Sequence, residues 1–186
     1  MAVALNPIGA SRILVYGVTG SGKSTLAGKI SAATGIRYHP VDELTWEPEW
    51  VEVSLDEQRR RMIQICVQDE WILDSAYGKW LDVPMARVQL IVGLDYPRWR
   101  SLGRLVRRTA IRLVDRQVVC NGNRESLRTL FGSDSIVAWH FRSFQRKRGR
   151  IRAWAADPKG PAVLRLTKPA QADQLLDQLC STQPQK

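Results

Sequence analysis

The sequence predicts an α/β protein in which a parallel sheet of five strands is covered by helices on both faces. Short apolar runs suited to buried strands alternate along the chain with stretches whose apolar residues recur at helical spacing. No internal repeat or low-complexity tract interrupts this alternation. With 186 residues, of which 44% are hydrophobic and 25% charged, the chain suits a single domain with a sizeable core.

The five predicted strands are apolar runs that end at turn or charged residues. They cover residues 13–16, 37–41, 71–74, 88–94 and 163–166. The second is predicted to end at Asp42 and Glu43, and the third ends in the carboxylate of Asp74. Residues 44–53, which contain Pro48 and show no clean period, are predicted to form a loop.

The predicted helices follow from apolar spacing and from start and stop signals. The first follows the glycine-rich stretch described below and ends at Gly35, and a capping-box pattern at residues 54–57 starts the second. Pro97 opens a long helix. Its apolar side is predicted to hold Trp99, Leu102, Leu105, Val106 and Val114. A short helix near residues 126–131, a longer one from about residue 135 and a final one from Pro169 complete the set.

Residues 104 to about 150 separate the fourth and fifth predicted strands. This stretch is too long for a plain crossover, and it is predicted to form a helical lid within the single domain 1–186. The last six residues, 181–186, are predicted to be disordered.

Positive charge is concentrated in one segment. The net charge is +10, yet residues 98–152 hold fifteen Lys and Arg against three Asp and Glu, a net +12, which leaves the rest of the chain at −2. Such a segment predicts an anionic partner: ATP, a phosphorylated substrate, nucleic acid or an acidic membrane surface. For most of these arginines, a solvated cationic face is the alternative.

Other sequence features predict a cytoplasmic protein with no membrane partner. No window is long and apolar enough to span a bilayer, and residues 1–10 lack the basic start and apolar centre of a signal peptide. The cysteines, Cys66, Cys120 and Cys180, are widely spaced and form no C-x-x-C pair, which predicts reduced thiols.

The stretch GVTGSGKST at residues 17–25 fits G-x-x-x-x-G-K-[S/T] between a predicted strand and a predicted helix. In such a loop the backbone N–H groups point at one anion, at a helix N-terminus that already favours negative charge. Lys23 is predicted to reach the β- and γ-phosphates of ATP, and the Ser24 hydroxyl to bind Mg²⁺. The predicted nucleotide-binding residues of the loop are Gly17, Thr19, Gly20, Ser21, Gly22, Lys23, Ser24 and Thr25. The alternative is a glycine turn that merely opens an ordinary βα unit.

Together with this loop, further segments resemble the adenylate-kinase-like branch of P-loop kinases, and within it the DNA topology modulation proteins. They are VDELTWEPEW at 41–50, WILDSAYG at 71–78, LDYPRW at 94–99 and LRLTKPAQ at 164–171, so the resemblance spans nearly the whole chain. It implies a three-layer fold with strand order 2-3-1-4-5 and a mobile, arginine-rich lid.

The resemblance also implies roles for residues around the nucleotide. Asp74 looks like the carboxylate that holds Mg²⁺ through water opposite Ser24. Arg104 and Arg108 match, by their distance from Pro97, an arginine that packs on adenine and one that binds phosphates. Thr167, Lys168 and Pro169 resemble the loop that closes over the adenine from the other side. Arg142, Arg146 and Arg148 are similar to lid arginines that clamp the transferring phosphoryl group.

The acceptor side departs from the pattern of nucleoside monophosphate kinases. Those enzymes place an arginine soon after the third-strand carboxylate, whereas this chain has only Lys79 after its SAYG turn at 75–78. Related kinases of shikimate and similar molecules carry an aspartate that binds the acceptor hydroxyl, and Asp42 matches it. Asp42 is therefore the candidate to orient a hydroxyl and accept its proton, with Glu43 as the fallback. A strand-end or helix-cap carboxylate is the alternative.

These observations predict an ATP- and Mg²⁺-dependent kinase that acts on a small molecule with a hydroxyl group. The predicted catalytic residues are Lys23, Asp42, Arg104, Arg108 and Arg146. Trp46, Trp50 and Trp80 either wall the acceptor pocket or pack in the interior. The oligomeric state is left open.

Two alternatives remain, a nucleoside monophosphate kinase and a nucleotide-dependent nucleic-acid-binding regulatory protein. The run Arg146-Lys147-Arg148 suits a nucleic-acid backbone. However, Trp139, Phe141 and Phe144 are predicted to lie on the apolar side of their helix, which is typical of a core more than of a base-stacking platform.

Overall fold

The computed structural model describes residues 9–75, 77–115, 118–119, 121–124 and 136–181. The strands are β1 (Arg12–Gly17), β2 (Tyr38–His39), β3 (Trp71–Leu73), β4 (Leu90–Leu94), β5 (Val118–Val119), β6 (Asn123–Arg124) and β7 (Ala162–Leu166). The helices are α1 (Lys23–Thr34), α2 (Val41–Thr45), α3 (Leu55–Cys66), α4 (Asp82–Met85), α5 (Arg98–Val114), α6 (Ile136–Ala156) and α7 (Pro169–Ser181). A 3-10 turn, Pro48–Trp50, follows α2.

Five strands form one parallel sheet in the order β2-β3-β1-β4-β7. The predicted fold class and the predicted order 2-3-1-4-5 are therefore confirmed, with β7 as the fifth strand. In this register Tyr16 lies beside Gly93, and Gly17 beside Leu94. The carboxyl ends of β1 and β4 thus meet at the point where the glycine-rich loop begins.

Helices cover both faces of the sheet because β1 alternates its side chains between two cores. Ile13 and Val15 face a core shared with α1 and α7, whereas Leu14 and Tyr16 face a core shared with α3 and α6. Trp71, Ile72 and Leu73 of β3 are fully buried. A strand that is buried on both faces reads as a continuous apolar run, which is why these strands were visible in the sequence.

The region after β2 corrects two predictions. The strand expected over residues 37–41 is only Tyr38–His39, since Pro40 ends it and Val41 opens α2. The loop expected over residues 44–53 contains the end of α2, a 3-10 turn and a bridge between Trp46 and Glu52. Acidic residues in the first turn of α2 suit the positive end of a helix, a signal hidden by the two prolines nearby.

The buried face of α5 differs in part from the predicted one. Leu105 is fully buried as predicted, and so are Ser101 and Thr109, whereas Trp99 is 68% exposed and Val106 is 46% exposed. The buried positions recur every four residues, so they form one stripe, and that stripe packs on α6. Ser101 Oγ lies 2.9 Å from His140 Nε2 at this contact.

Helix α6 begins close to the predicted position, but two of its aromatic side chains were misassigned. Trp139 and Phe141 are 43% and 46% exposed, which contradicts the prediction that they belong to the core. Phe144 is buried as predicted, together with His140 and Ile151.

Between α5 and α6, the β5–β6 hairpin contacts the segment after α2. Its turn holds Asn121 and Gly122, both at positive φ, a conformation that asparagine and glycine adopt more readily than other residues. The Asn121 amide donates to the carbonyls of Glu43 and Trp46 at 2.8 and 2.7 Å.

Some sequence predictions lie outside the described residues. They are the short helix near 126–131, the thiol of Cys120 and the tail beyond Ser181. Cys66 and Cys180 are free thiols. Among the helices that are described, none is long and apolar enough to cross a membrane.

Candidate active site

The glycine-rich loop joins the end of β1 to the start of α1 at the carboxyl edge of the sheet. Gly20 and Gly22 have φ of 80° and 96°, a region that side chains with a Cβ rarely adopt. Between them, the N–H of Ser21 donates to the Val18 carbonyl at 3.2 Å. The hydroxyl of Ser21 is buried without a hydrogen-bond partner among the described residues. A buried unpaired hydroxyl beside a helix N-terminus fits a site that binds an anion.

Gly20 is also the point where the loop touches α5. A Cβ added to Gly20 would lie 2.4 Å from the Ser101 carbonyl oxygen and 2.8 Å from the Leu105 Cβ. The loop and α5 are therefore in direct contact, and Arg104 is adjacent in sequence to the contacting residue Leu105.

Lys23 lies among charged groups contributed by three elements. Its ammonium donates to the Val18 carbonyl at 3.1 Å. Burial lowers the pKa of Lys23, the nearby carboxylates of Asp74 and Asp42 oppose this, and Arg108 adds to the lowering. These influences show that Asp42, Asp74 and Arg108, all predicted site residues, lie within electrostatic range of Lys23.

Asp74 connects the loop to α2. Its Oδ2 accepts a hydrogen bond from the Ser24 hydroxyl at 2.5 Å, and its Oδ1 accepts one from the Val41 N–H at 3.0 Å. Burial, and then Asp74 itself, raise the pKa of the Tyr38 hydroxyl beside this pair. Hydroxyl and carboxylate oxygens are the ligands that Mg²⁺ prefers, and a phosphate-binding loop supplies further ligands through the phosphates. The Ser24–Asp74 pair therefore fits the predicted metal site.

A cavity of about 340 Å³ opens beside the loop, between α1, α5 and α7. Arg104, Arg108, Thr25 and Pro169 line it, together with Tyr96. The guanidinium of Arg104 lies 5.9 Å from the centre of the Tyr96 ring, and it donates to the Ser21 carbonyl at 3.3 Å. A planar cation on one side and a proline on the other suit a flat aromatic ring between them.

The other predicted residue of this wall, Lys168, is exposed and does not line the cavity, although Pro169 does. The backbone N–H groups of Thr167 and Lys168 donate to the Gln171 side-chain oxygen at 2.7 and 2.9 Å. Gln171 thus caps the start of α7 and fixes the turn that carries Pro169.

Asp42 lies exposed in the first turn of α2, where it accepts a hydrogen bond of 2.7 Å from the Tyr77 hydroxyl. Burial and the neighbouring Asp42 raise the pKa of Tyr77, so this phenol stays protonated and keeps donating. Asp42 is thereby oriented by Tyr77, which the sequence analysis did not single out. The signal was present, because Tyr77 stands three residues after Asp74 in the same turn.

The three tryptophans considered for the acceptor side have different environments. Trp80 is fully buried, and its indole N–H donates to Gln58 Oε1 at 3.1 Å, so Trp80 packs in the core. Trp46 and Trp50 lie on the segment between α2 and α3, with ring centres 6.0 Å apart. Only these two remain candidates for an acceptor wall.

The candidate lid arginines are not gathered at one place. Arg146 is exposed and lies over the Trp139 ring at 5.8 Å. Arg148 instead forms an ion pair with Asp95, whose side chain is fully buried. Arg142 is exposed on α6.

Asp95 is a charged centre that the sequence analysis missed. It follows β4 and accepts hydrogen bonds from Arg148, from Arg152 at 3.1 Å and from Arg165 at 2.7 Å. Burial opposes ionisation of Asp95, but the arginines outweigh it and lower its pKa. Part of the positive charge on the basic segment is therefore neutralised by this internal carboxylate.

Lys147 is a second missed residue. It lies on α6 between the buried Phe144 and Ile151, and its ammonium is 5.7 Å from the centre of the Tyr16 ring. Lys147 follows Phe144 by three residues and precedes Ile151 by four, so it lies on the buried face of the helix. The neighbouring basic residues in the sequence concealed this pattern.

No protein-family model matches the chain, and no curated relative matches it. Solved structures do match. A gluconokinase from Sinorhizobium meliloti 1021 is 14% identical with a TM-score of 0.52, over 92% of this chain and 90% of that one. A shikimate kinase from Bacteroides thetaiotaomicron is 14% identical with a TM-score of 0.53, over 91% and 96%. A shikimate kinase from Acinetobacter baumannii, in complex with shikimate, is 13% identical with a TM-score of 0.53, over 96% and 98%.

At these identities the comparisons show the fold. They confirm the kinase fold that the resemblance implies, while the narrower likeness to DNA topology modulation proteins stays a prediction. The chain has the three-layer fold of P-loop kinases, as found in gluconokinase and shikimate kinase.

Proposed function

We propose that this protein is a phosphotransferase that moves the γ-phosphate of ATP to a hydroxyl group of a small molecule. The observation that carries the proposal is the 2.5 Å hydrogen bond between Ser24 and Asp74, beside Lys23 and next to a cavity of about 340 Å³. An anion-binding loop, a pair of oxygen ligands for Mg²⁺ and a cavity for a base are the parts that phosphoryl transfer from ATP requires.

The residues divide into three tasks. The loop amides and Lys23 hold the phosphates, while Arg104 and Pro169 flank the base in the cavity. Ser24 and Asp74 would hold Mg²⁺, which would supply positive charge to neutralise the phosphate oxygens. Arg108, which is close enough to Lys23 to lower its pKa, adds positive charge where the transition state gains negative charge.

Asp42 supports a hydroxyl as the acceptor. It is exposed, is oriented by Tyr77 and lies within electrostatic range of Lys23. In the reaction, the acceptor oxygen forms the new P–O bond as its proton passes to Asp42, and ADP leaves with the bridging oxygen. A phosphate acceptor would be repelled by this carboxylate, which counts against the nucleoside monophosphate kinase alternative.

The test is ADP formation from ATP and Mg²⁺ with a library of hydroxylated metabolites, including gluconate, shikimate and nucleoside monophosphates. The proposal predicts that one non-phosphorylated acceptor stimulates ADP release. Lys23→Ala abolishes the signal, which separates turnover from contaminating kinases. Asp42→Asn lowers turnover with that acceptor. Stimulation by a nucleoside monophosphate alone would instead support the alternative kinase, and no stimulation by any acceptor would count against both.

A second candidate function, nucleic-acid binding, is favoured by the exposed aromatic side chains of α5 and α6. Trp99 is 68% exposed with the Arg100 guanidinium 4.9 Å from its ring centre, and Trp139 pairs with Arg146 in the same way. Aromatic rings beside arginines can stack on bases. This candidate predicts salt-sensitive binding of single-stranded DNA or RNA, measured by fluorescence anisotropy, which weakens in Trp99→Ala. Binding that Trp99→Ala leaves unchanged would refute it.

A further inference from the structure

The buried face of α6 carries a polar stripe at the point where the helix passes the glycine-rich loop. His140, Ser143 and Lys147 are spaced three and four residues apart, so they lie on one side of the helix. His140 and Ser143 are fully buried, and His140 Nδ1 and Ser143 Oγ have no hydrogen-bond partner in the part of the chain that is described. These two residues lie where α6 packs on α5, since His140 Nε2 is 2.9 Å from Ser101 Oγ.

The next residue on the stripe fixes where the helix crosses the sheet. Ile151 packs so closely on β4 that a Cβ at Gly93 would lie 2.6 Å from its Cγ2. Helix α6 leads into β7, which is parallel to β4, so α6 runs back from the carboxyl edge of the sheet. One helical turn before Ile151, Lys147 therefore lies toward the edge that carries the glycine-rich loop.

The surroundings of Lys147 agree with this placement. Its ammonium lies over the ring of Tyr16, the residue before Gly17, while Arg150 donates to the Tyr16 hydroxyl at 3.2 Å. Burial, and then Lys23, lower the pKa of Lys147 to about 7, while Asp42 opposes the shift. Lys147 thus lies within electrostatic range of both the phosphate-binding lysine and the candidate base.

No carboxylate among the described residues forms an ion pair with Lys147. Lys147 is half-buried, and a partly desolvated ammonium is stabilised when an anion enters beside it. Arg146 and Arg148, its neighbours in sequence, are directed to Trp139 and Asp95. Of these three cations, Lys147 is the one that shares its surroundings with Lys23.

We propose that Lys147 is the lid residue that contacts the transferring phosphoryl group, opposite Lys23. The inference rests on the proposed function and refines it, because the resemblance assigns this task to an arginine. Held over Tyr16 by packing, the ammonium meets the equatorial oxygens of the phosphoryl group as negative charge develops on them.

The experiment compares Lys147→Met and Lys147→Arg with Lys159→Met, a matched change at an exposed lysine beyond the end of α6. Loss of one such contact lowers kcat on the order of 100-fold. We expect that loss in Lys147→Met, with KM for ATP little changed, partial rescue in Lys147→Arg and wild-type behaviour in Lys159→Met. The inference would be overturned if Lys147→Met kept the wild-type kcat, or if Arg146→Met lost kcat while Lys147→Met did not.

A second measurement needs no acceptor and so separates this inference from the proposed function. Calorimetry gives the affinity for the non-hydrolysable analogue AMPPNP and for ADP, each with Mg²⁺. Lys147→Met should lose the preference of the wild-type protein for the triphosphate. An unchanged preference would show that Lys147 is structural. Failure of every acceptor with the preference lost would count against the proposed function and would leave Lys147 as a residue that contacts the γ-phosphate.

Discussion

Replacement of Gly20 by alanine should separate the glycine-rich loop from α5. The added Cβ would lie 2.4 Å from the Ser101 carbonyl oxygen and 2.8 Å from the Leu105 Cβ. Both atoms belong to the backbone or to the rigid start of a side chain, so neither can move without a shift of α5. In addition, Gly20 has φ of 80°, which is unfavourable for alanine.

The magnitude follows from these two effects. The left-handed conformation costs about 1–2 kcal/mol for a residue with a Cβ. Forcing one extra carbon into a packed contact costs roughly 1–3 kcal/mol. The free energy of unfolding should therefore fall by about 2–5 kcal/mol, and affinity for Mg²⁺-AMPPNP should fall because the loop amides no longer converge.

Urea denaturation and calorimetric titration measure both quantities. Gly103→Ala is the matched control: Gly103 is exposed on α5, and an added Cβ would meet nothing within 4 Å. That variant should gain about 0.5–1 kcal/mol, since alanine is the better helix former. If Gly20→Ala matched the control in both stability and affinity, the proposed contact between loop and α5 would be wrong.

Three further predictions concern charged and polar contacts. Asp74→Asn keeps the shape of the side chain but removes the charge that faces Mg²⁺. In a Mg²⁺ titration of turnover, activity at limiting Mg²⁺ should therefore fall about 10- to 100-fold. An unchanged titration would contradict the metal site. Asp95→Asn should lower the free energy of unfolding at pH 7 by about 1.5–3 kcal/mol, because charge-assisted hydrogen bonds are lost. The folded-state pKa of Asp95 is lowered, so its contribution to the free energy of unfolding is present above the unfolded pKa of about 3.9 and is lost as the pH falls through the folded pKa. Denaturation across pH 2–7 should therefore show the difference in stability between wild type and Asp95→Asn shrinking in acid. A constant difference would contradict the assignment. Asn123→Ala removes the acceptor of the Trp50 N–H at 2.7 Å and the donor to the Glu47 carbonyl at 2.9 Å. Hydrogen exchange at the Trp50 amide should become roughly tenfold faster, a cost of about 1–2 kcal/mol; unchanged exchange would show that the hairpin does not hold this segment.

The fold and the loop were predictable because their signals are local. Strands buried on both faces leave continuous apolar runs, and β1, β3 and β4 are such strands. The glycine-rich loop needs a fixed spacing of glycines, Lys23 and Ser24, which no other element can alter. Ser24 and Asp74 were expected to share a metal site; the structure joins them by a hydrogen bond, and the metal role stays a prediction.

The helix faces of α5 and α6 were predicted less well because they depend on a partner. Trp99 lies at an apolar-looking position, yet Ser101, Leu105 and Thr109 form the buried stripe. That stripe is buried because the loop approaches α5 closely at Gly20 and because Ser101 contacts His140. Neither is visible in the spacing of apolar residues along one helix.

The roles of the basic residues were hardest to predict because a run of adjacent cations does not show in which direction each side chain points. Arg146, Lys147 and Arg148 are adjacent, but successive helix positions point in directions about 100° apart. They therefore reach Trp139, Tyr16 and Asp95 respectively. Only the burial of the flanking Phe144 and Ile151 distinguishes Lys147 from its neighbours.

The measurement that tests the central claim most directly is a crystal structure of the protein with Mg²⁺ and AMPPNP. The account predicts that the triphosphate lies on the loop at residues 20–25, with the base between Arg104 and Pro169 and the γ-phosphate between Lys23 and Lys147. A nucleotide bound instead on the exposed aromatic face around Trp99, or a triphosphate out of reach of Lys23, would contradict it.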